Sequence, residues 1–418
     1  MSDLAAFVRA SPSSFHTVAE VARRLSETGF VELVEAEDWP RGVGSFFVVR
    51  DGAIIAWVTP ADAVATTPFR IIGAHTDSPG FALKPKPTTA AHGWLQAGVE
   101  VYGSPLVNSW LDRELEFAGR LVFDDGTSAL VRTGPFLRFP QLAVHLDRGM
   151  NSEGLTLNPQ QHLNPVIGVG NLADADVIAH LAGLAGRAGR HVAGYDISTA
   201  DTASPRVFGI DGALFASGRL DNLSSVHAGL VALLAVASTD LETAPSISVF
   251  AAFDHEEVGS ETRSGAAGPL LESVLARIGG VGTSDRARAF AHSWCLSADA
   301  GHAVHPNYPE RHDPVNRPVV NRGPLLKINA NKRYATDALG AAEWARSCRQ
   351  AGVEYQEFVS NNAVACGSTI GPITATRLGI RTFDVGIALL SMHSVRELCG
   401  VDDPLALSEA MRAFLAPA

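Results

Sequence analysis

The residues best suited to chemistry stand immediately after apolar runs. His75 follows the run Phe69 to Ala74, and Asp77 comes two residues later. Asp254-His255-Glu256-Glu257 follows "SISVFAAF", Asp299 follows "SWCLSA", and Met392-His393-Ser394 follows "IRTFDVG" and a short apolar link. Asp221, in "SGRLDNL", stands at the predicted start of a helix. Imidazoles and carboxylates without a thiolate form a donor set that suits zinc, cobalt or manganese. A pair of such metals about 3.5–4 Å apart is the common hydrolytic arrangement. Asp77 is placed to orient the His75 ring, as carboxylates near ligand histidines do. Each residue alone has an ordinary reading: Asp221 as a helix N-cap, Glu256-Glu257 as a solvated pair, His393 as a packed or surface histidine. Their shared position at element ends is what points to a site.

The elements that must hold these residues are legible from periodicity. After Ser14, Phe15, Val18, Val21 and Leu25 recur at helical spacing and Gly29 can close the helix. "FFVVRDGAIIAWV" reads as two strands around an Asp51-Gly52 turn. From about Thr88 to about Pro205 short extended runs alternate with Gly and Asp-Gly turns, which predicts an inserted β-rich domain. The rest, residues 1–87 and 206–418, returns to alternating strands and helices, including "LSSVHAGLVALLAVAS", "GPLLESVLARI", "LLKINA", "TDALGAAEWARSCRQAG", "GPITATRLG" and "DPLALSEAMRAFLA". That pattern predicts an α/β fold, a mixed sheet layered by helices, with ligands gathered where strands end. "VIGVGNLADA" loosely matches a dinucleotide fingerprint through Gly168, Gly170 and Ala173, but the apolar run before Gly168 is too short for the required strand.

Composition removes other classes. The 418 residues are 46% hydrophobic and 18% charged, with a net charge of −11, so a globular protein is expected and a nucleic-acid or anionic-membrane partner is not. The N-terminus lacks a basic region followed by a long apolar stretch, and no apolar run approaches the roughly 18 residues of a bilayer span. Cys295, Cys348, Cys366 and Cys399 form no CxxC pair, which fits a reducing cytoplasm.

The segments "AHTDSPGFALKPKP", "SGRLDNL", "DHEEVGS", "SADAGHAVHPNY", "GPLLKINANKRYATDA", "CGSTIGP" and "MHSVRE" resemble, in this order, the motif series of the aspartyl aminopeptidases, the M18 metallopeptidases. The resemblance runs from about His75 to about Glu397. It implies two zinc ions per subunit, replaceable by cobalt or manganese: Asp221 bridging, His75 and Asp299 completing one site, Glu257 and His393 the other. Glu256 would be the general base, taking a proton from the attacking water and returning it to the leaving amine. The resemblance further implies that His305 helps stabilise the tetrahedral intermediate, that Lys327 and Tyr334 bind substrate, and that His145 enters a partner subunit's site. Peptide substrates with N-terminal Asp or Glu, dimerisation through the insertion at 88–205, and a dodecamer are expected on the same ground. A related dinuclear hydrolase, acting on neutral residues or as a deacylase, is the alternative, with Lys327 as the discriminating residue. The chain departs from some relatives in "SNNAVACG", which lacks an acid just before the "CGSTIGP" motif.

Overall fold

The computed structural model describes residues 1–40, 42–238, 244–279 and 282–417. Along the strand Ala53–Thr59, Ile54, Ala56 and Val58 enter one apolar cluster while Ala53, Ile55 and Trp57 enter another. Side chains alternate faces along a strand, so a strand apolar at every position requires cover on both sides. Phe69–His75 divides the same way, with Ile72 and Ala74 on one face and Phe69 and Ile71 on the other. Helices Ser2–Ala10, Ser14–Glu27, Leu220–Ala237, Ala338–Ala351 and Asp403–Leu415 cover the first face. Leu270–Ile278, Thr283–His292 and Ile370–Leu378 cover the second.

The main sheet has nine strands in the order Val31–Glu32, Gly44–Arg50, Ala53–Thr59, Ile247–Phe253, Phe69–His75, Trp294–Ala298, Arg381–Gly386, Leu325–Ile328 and Gln356–Val359. The hairpin around Asp51-Gly52 forms as expected, with Arg50 paired to Ala53. Ile247–Phe253, Phe69–His75, Trp294–Ala298 and Arg381–Gly386 run parallel. Phe253 is in register with His75, and Ala298 with Val385, so these strands stop along a common edge.

The helix Leu220–Ala237 corrects one expectation: over 18 residues its mean hydropathy of 1.5 meets the length and composition of a membrane span. Asp221, Asn222 and two serines interrupt the apolar run near its start, which hides that length in the sequence. The helix is packed in the core, 72% buried, against the sheet and Asp403–Leu415.

A second sheet has six strands, in the order Ser128–Arg132, Leu115–Phe123, Val192–Asp201, Gly80–Ala91, Trp94–Tyr102 and Val166–Val169. It builds one apolar cluster, in which Phe81, Phe117, Leu121 and Phe139 meet Leu181 of the helix Val177–Leu184. The boundary expected near Thr88 falls inside the strand Gly80–Ala91. The strand passes through Lys84-Pro85-Lys86-Pro87 as an irregularity, pairing Leu83 with Val99 and then Thr88 with Ala97.

Candidate metal centre

His75 stands at the tip of its strand, buried at 1% exposure. Its Nε2 lies 3.3 Å from Asp221 Oδ1 and 3.5 Å from Asp299 Oδ1. The other oxygen of Asp221, Oδ2, lies 3.3 Å from His393 Nε2, which is itself 3.4 Å from Glu257 Oε2. The ligand atoms therefore gather into two sets, His75–Asp221–Asp299 and Asp221–Glu257–His393, each within 4.8 Å. They share Asp221. Sequence alone also allowed Asp221 to be an N-cap; here its backbone is non-helical, and its N–H donates to Glu397 Oε2 at 2.9 Å.

The Glu256-Glu257 pair sits in a single 3-10 turn, Glu256–Val258, entered through His255 at φ 63°. Successive residues of such a turn point about 120° apart, which separates the two carboxylates. Glu257 joins the second set with its side chain 5% exposed, whereas Glu256 approaches His75 Nε2 only to 4.0 Å and stays 17% exposed. A third grouping, His75–Glu256–Glu257, also meets the spacing of a metal site, but it depends on that longer approach.

Asp77 holds the arrangement from behind. Its backbone oxygen accepts from His75 Nδ1 at 3.1 Å, and its carboxylate accepts from the backbone N–H groups of Glu256 at 3.0 Å and Glu257 at 3.1 Å. Tyr102, on the second sheet, donates its hydroxyl to Asp77 Oδ2 at 2.7 Å. Sequence reasoning missed Tyr102, because its strand lies in the insertion. It also missed Glu397, which is buried at 1% exposure and accepts from His393 N–H at 2.7 Å as well as from Asp221. Its position four residues after His393, inside "MHSVRE", was the available signal.

The expected substrate residues divide. Lys327 is 1% exposed and its Nζ lies 2.9 Å from Asp299 Oδ2, so its first partner is one of the ligand carboxylates rather than a free position beside the substrate. Tyr334 is buried with its ring 5.1 Å from the same ammonium and packs on Phe358, so its contacts are those of a core residue that backs Lys327. His305 is engaged in its own loop: Nδ1 accepts from Asn307 N–H and the ring packs on Tyr308. Neither contact reaches the carboxylate cluster. His145 is exposed on the segment between Gln141 and Arg148 of the insertion.

Comparison with known proteins gives the family. Residues 7–415 match the family model described as aminopeptidase I zinc metalloprotease (M18). The chain belongs to the M18 aminopeptidase family. It is 54% identical over 420 residues to the probable M18 family aminopeptidase 2 of Streptomyces coelicolor, covering 99% of this chain and 97% of that one. Among solved structures, the fold is similar to a chain of the Ape4 and Nbr1 complex, with a TM-score of 0.95, 35% identity, and coverage of 99% and 85%. It is also similar to the mApe1 dodecamer of S. cerevisiae, with a TM-score of 0.87, 29% identity, and coverage of 99% and 95%. An M18 chain is an aminopeptidase and a zinc metalloprotease.

The residues of this M18 chain fit zinc. Its donors are imidazole nitrogens and carboxylate oxygens, and among the described residues two carboxylate oxygens, Asp221 Oδ1 and Glu257 Oε1, are buried with no partner in hydrogen-bond geometry, His75 Nε2 standing 3.3 Å from the first. The acids also hold protons on their neighbours. Burial works against a charged His75, but Asp221, Asp299 and Asp77 outweigh it and raise the imidazole well above its ordinary value. His393 is pushed up to about 10, where burial is overcome by Asp221 and Glu257. Burial raises Glu256 to about 7, helped by Asp299 and Asp221 and opposed by His75. Divalent cations are the natural counter-charge for so many confined carboxylates, and a cation beside Glu256 favours its ionised form.

Proposed function

We propose that this M18 aminopeptidase works with two zinc ions per subunit and prefers peptides with N-terminal Asp or Glu. The observation that carries the two-metal reading is Asp221, whose two oxygens face different histidines in different ligand sets. His75 and Asp299 would hold one zinc, Glu257 and His393 the other, with cobalt or manganese as substitutes. Bound there, zinc supplies Lewis-acid polarisation and acidifies water.

The chain's own residues do the rest. Glu256, outside the tighter ligand pairs and 17% exposed, takes the proton of the attacking water and gives it to the leaving amine. Asp77 fixes the His75 ring and the Glu256-Glu257 turn together. Lys327 holds Asp299; an ammonium has three donors, and those left over can meet an acidic side chain. Tyr334 backs that ammonium. His305 enters the reading through the resemblance alone, as a stabiliser of the developing charge.

Self-association, as dimers through the inserted sheet and a larger closed assembly, is supported by the likeness to the dodecameric yeast mApe1. The exposed apolar residues Leu142, Val144 and Leu146, which flank His145, supply a surface that burial in a partner would stabilise. On this reading His145 completes the partner's site. A cytoplasmic location is supported by the cysteines, none of which is disulfide-bonded.

The test is a purified sample assayed against aminoacyl substrates, with metal content measured before and after chelation. Two zinc ions per chain, activity lost on chelation and restored by zinc, and faster release of Asp and Glu than of Leu are expected. A preference for Leu would move the chain to the related neutral-residue hydrolases.

A further inference from the structure

The segment leaving the strand Trp94–Tyr102 belongs to the inserted sheet, yet it touches both ligand sets. On one side Tyr102 donates to Asp77, the carboxylate behind His75. Next, Gly103 turns the chain against Glu257 at φ 66°, where a Cβ would lie 3.2 Å from the Glu257 Cβ. On the other side the Ser104 carbonyl lies 3.0 Å from His393 Nδ1. A carbonyl oxygen can only accept, so Nδ1 donates there, and Nε2, facing Asp221 and Glu257, is the nitrogen left to hold a metal. Leu106 N–H donates to the His393 carbonyl at 2.8 Å, and Val395 N–H donates to Ser109 Oγ at 2.9 Å.

We infer that Tyr102 and the segment Ser104 to Ser109 are positioning elements supplied by the inserted sheet, Tyr102 acting through Asp77 on ligands of both sets and Ser104 to Ser109 acting on His393 of the second set. This inference rests on the two-metal reading. Groups that orient metal ligands fix the ring and the tautomer, and removing them costs about 10–100-fold in affinity or activity. The Tyr102 hydroxyl fits that role better than packing. It lines a cavity of about 420 Å³ between the two sheets, so the hydroxyl is not needed to fill space. Its acceptor, Asp77 Oδ2, also takes the Glu257 N–H, so the hydroxyl restrains a carboxylate that restrains both a ligand histidine and a ligand glutamate. Ser109 does the same for the ligand loop of His393 through Val395. The placement of the inserted sheet thereby sets metal affinity.

The experiment is a zinc titration of the full chain against a competing chelator, for wild type, Tyr102→Phe, Ser109→Ala and the double variant. Wild type should bind in two steps. Tyr102→Phe should weaken both steps about tenfold, the low end for a ligand-orienting group, and Ser109→Ala only one. The double variant should weaken both. Melting of the chelated protein separates positioning from folding, because a substitution that only loosens the fold lowers the midpoint and leaves zinc affinity in place. If Tyr102→Phe does not fold, Ser109→Ala carries the same comparison. A single wild-type step would remove the two-metal reading and this inference with it. Two wild-type steps that neither substitution moves, or a Ser109→Ala effect that falls on both steps as strongly as that of Tyr102→Phe, would overturn the inference alone.

Discussion

The two sheets of this molecule solve different problems. The nine-stranded sheet is apolar on both faces under two layers of helices, and the ligand-bearing ends of its parallel strands lie along one edge. The six-stranded sheet packs a single apolar cluster, and its outer strands leave Trp94 and Val169 half-exposed or more. Close packing on both faces leaves little room for side chains to drift, which suits the first sheet to carry His75 and Asp299, the proposed ligands, at its strand ends. The second sheet carries what must meet other surfaces: Tyr102 toward the site, and His145 with its apolar neighbours toward solvent. Chemistry and contact are separated by architecture.

The strongest way to break that division is at the edge of the first sheet. Glu256→Gln is expected to lower kcat at least about 100-fold, as removal of a general base does, while zinc content stays at the wild-type level. Glu257→Gln should lose zinc instead. Metal analysis beside turnover checks both, and the reverse pattern would exchange the two roles.

Next comes Lys327. Removing one member of a buried charge pair costs about 2–5 kcal/mol, and about 1.4 kcal/mol is a factor of ten. Lys327→Met is therefore expected to depress kcat/KM for acidic substrates at least about 30-fold, with a smaller loss for Leu. An equal loss for every substrate would mean that Lys327 serves only to hold Asp299 and that selectivity lies elsewhere.

The contact role of the second sheet is tested at Leu146, which is 75% exposed. Burying a leucine contributes about 1.5–3 kcal/mol, so Leu146→Asp should raise the concentration for half-assembly by about tenfold or more. Light scattering across a dilution series measures it. An unchanged profile would place the interface outside this segment.

The smallest effect belongs to the junction between the regions, where half-buried His16 faces Arg132 of the second sheet and Arg219. Burial first, then those two charges, lower its pKa from 6.5 to about 4. The folded state thus prefers the neutral ring, so the stability His16 contributes is whole above pH 6.5 and is lost as pH falls towards 4. Relative to His16→Gln, wild type should lose on the order of 1 kcal/mol between pH 7 and pH 4.5 in denaturant unfolding. A constant difference across that range would show that the ring is solvated when charged.

Much of the grouping that the structure brings together was legible because His75, Glu257 and Asp299 stand just beyond runs whose apolar character ends abruptly. His75 and Asp299 could be placed on strand ends from composition alone, and Asp51-Gly52 announced its hairpin. What stayed hidden depends on contacts between distant segments. Nothing local marks Tyr102 as the partner of Asp77, or Ser109 as the anchor of Val395. Lys327 looked like an unpaired charge closing a strand, because its pairing with Asp299 arises only when two strands are laid beside Arg381–Gly386. The change of texture near Thr88 is local, whereas the pairing that carries the strand Gly80–Ala91 across it is with Trp94–Tyr102 and includes an irregularity at two prolines.

Glu397 bears on how this site can change over time. One of its oxygens accepts from the N–H of Asp221 and the other from the N–H of His393, so a single side chain spans two ligand-bearing segments like the jaws of a caliper. Its length is quantised. Replacing it with aspartate removes one methylene and can keep both grips only by dragging the segments together; glutamine keeps the length and offers an amide N–H where one backbone donor needs an acceptor. The spacing between Asp221 and His393 is thus guarded by a residue buried behind them, and drift at that position has no small steps available.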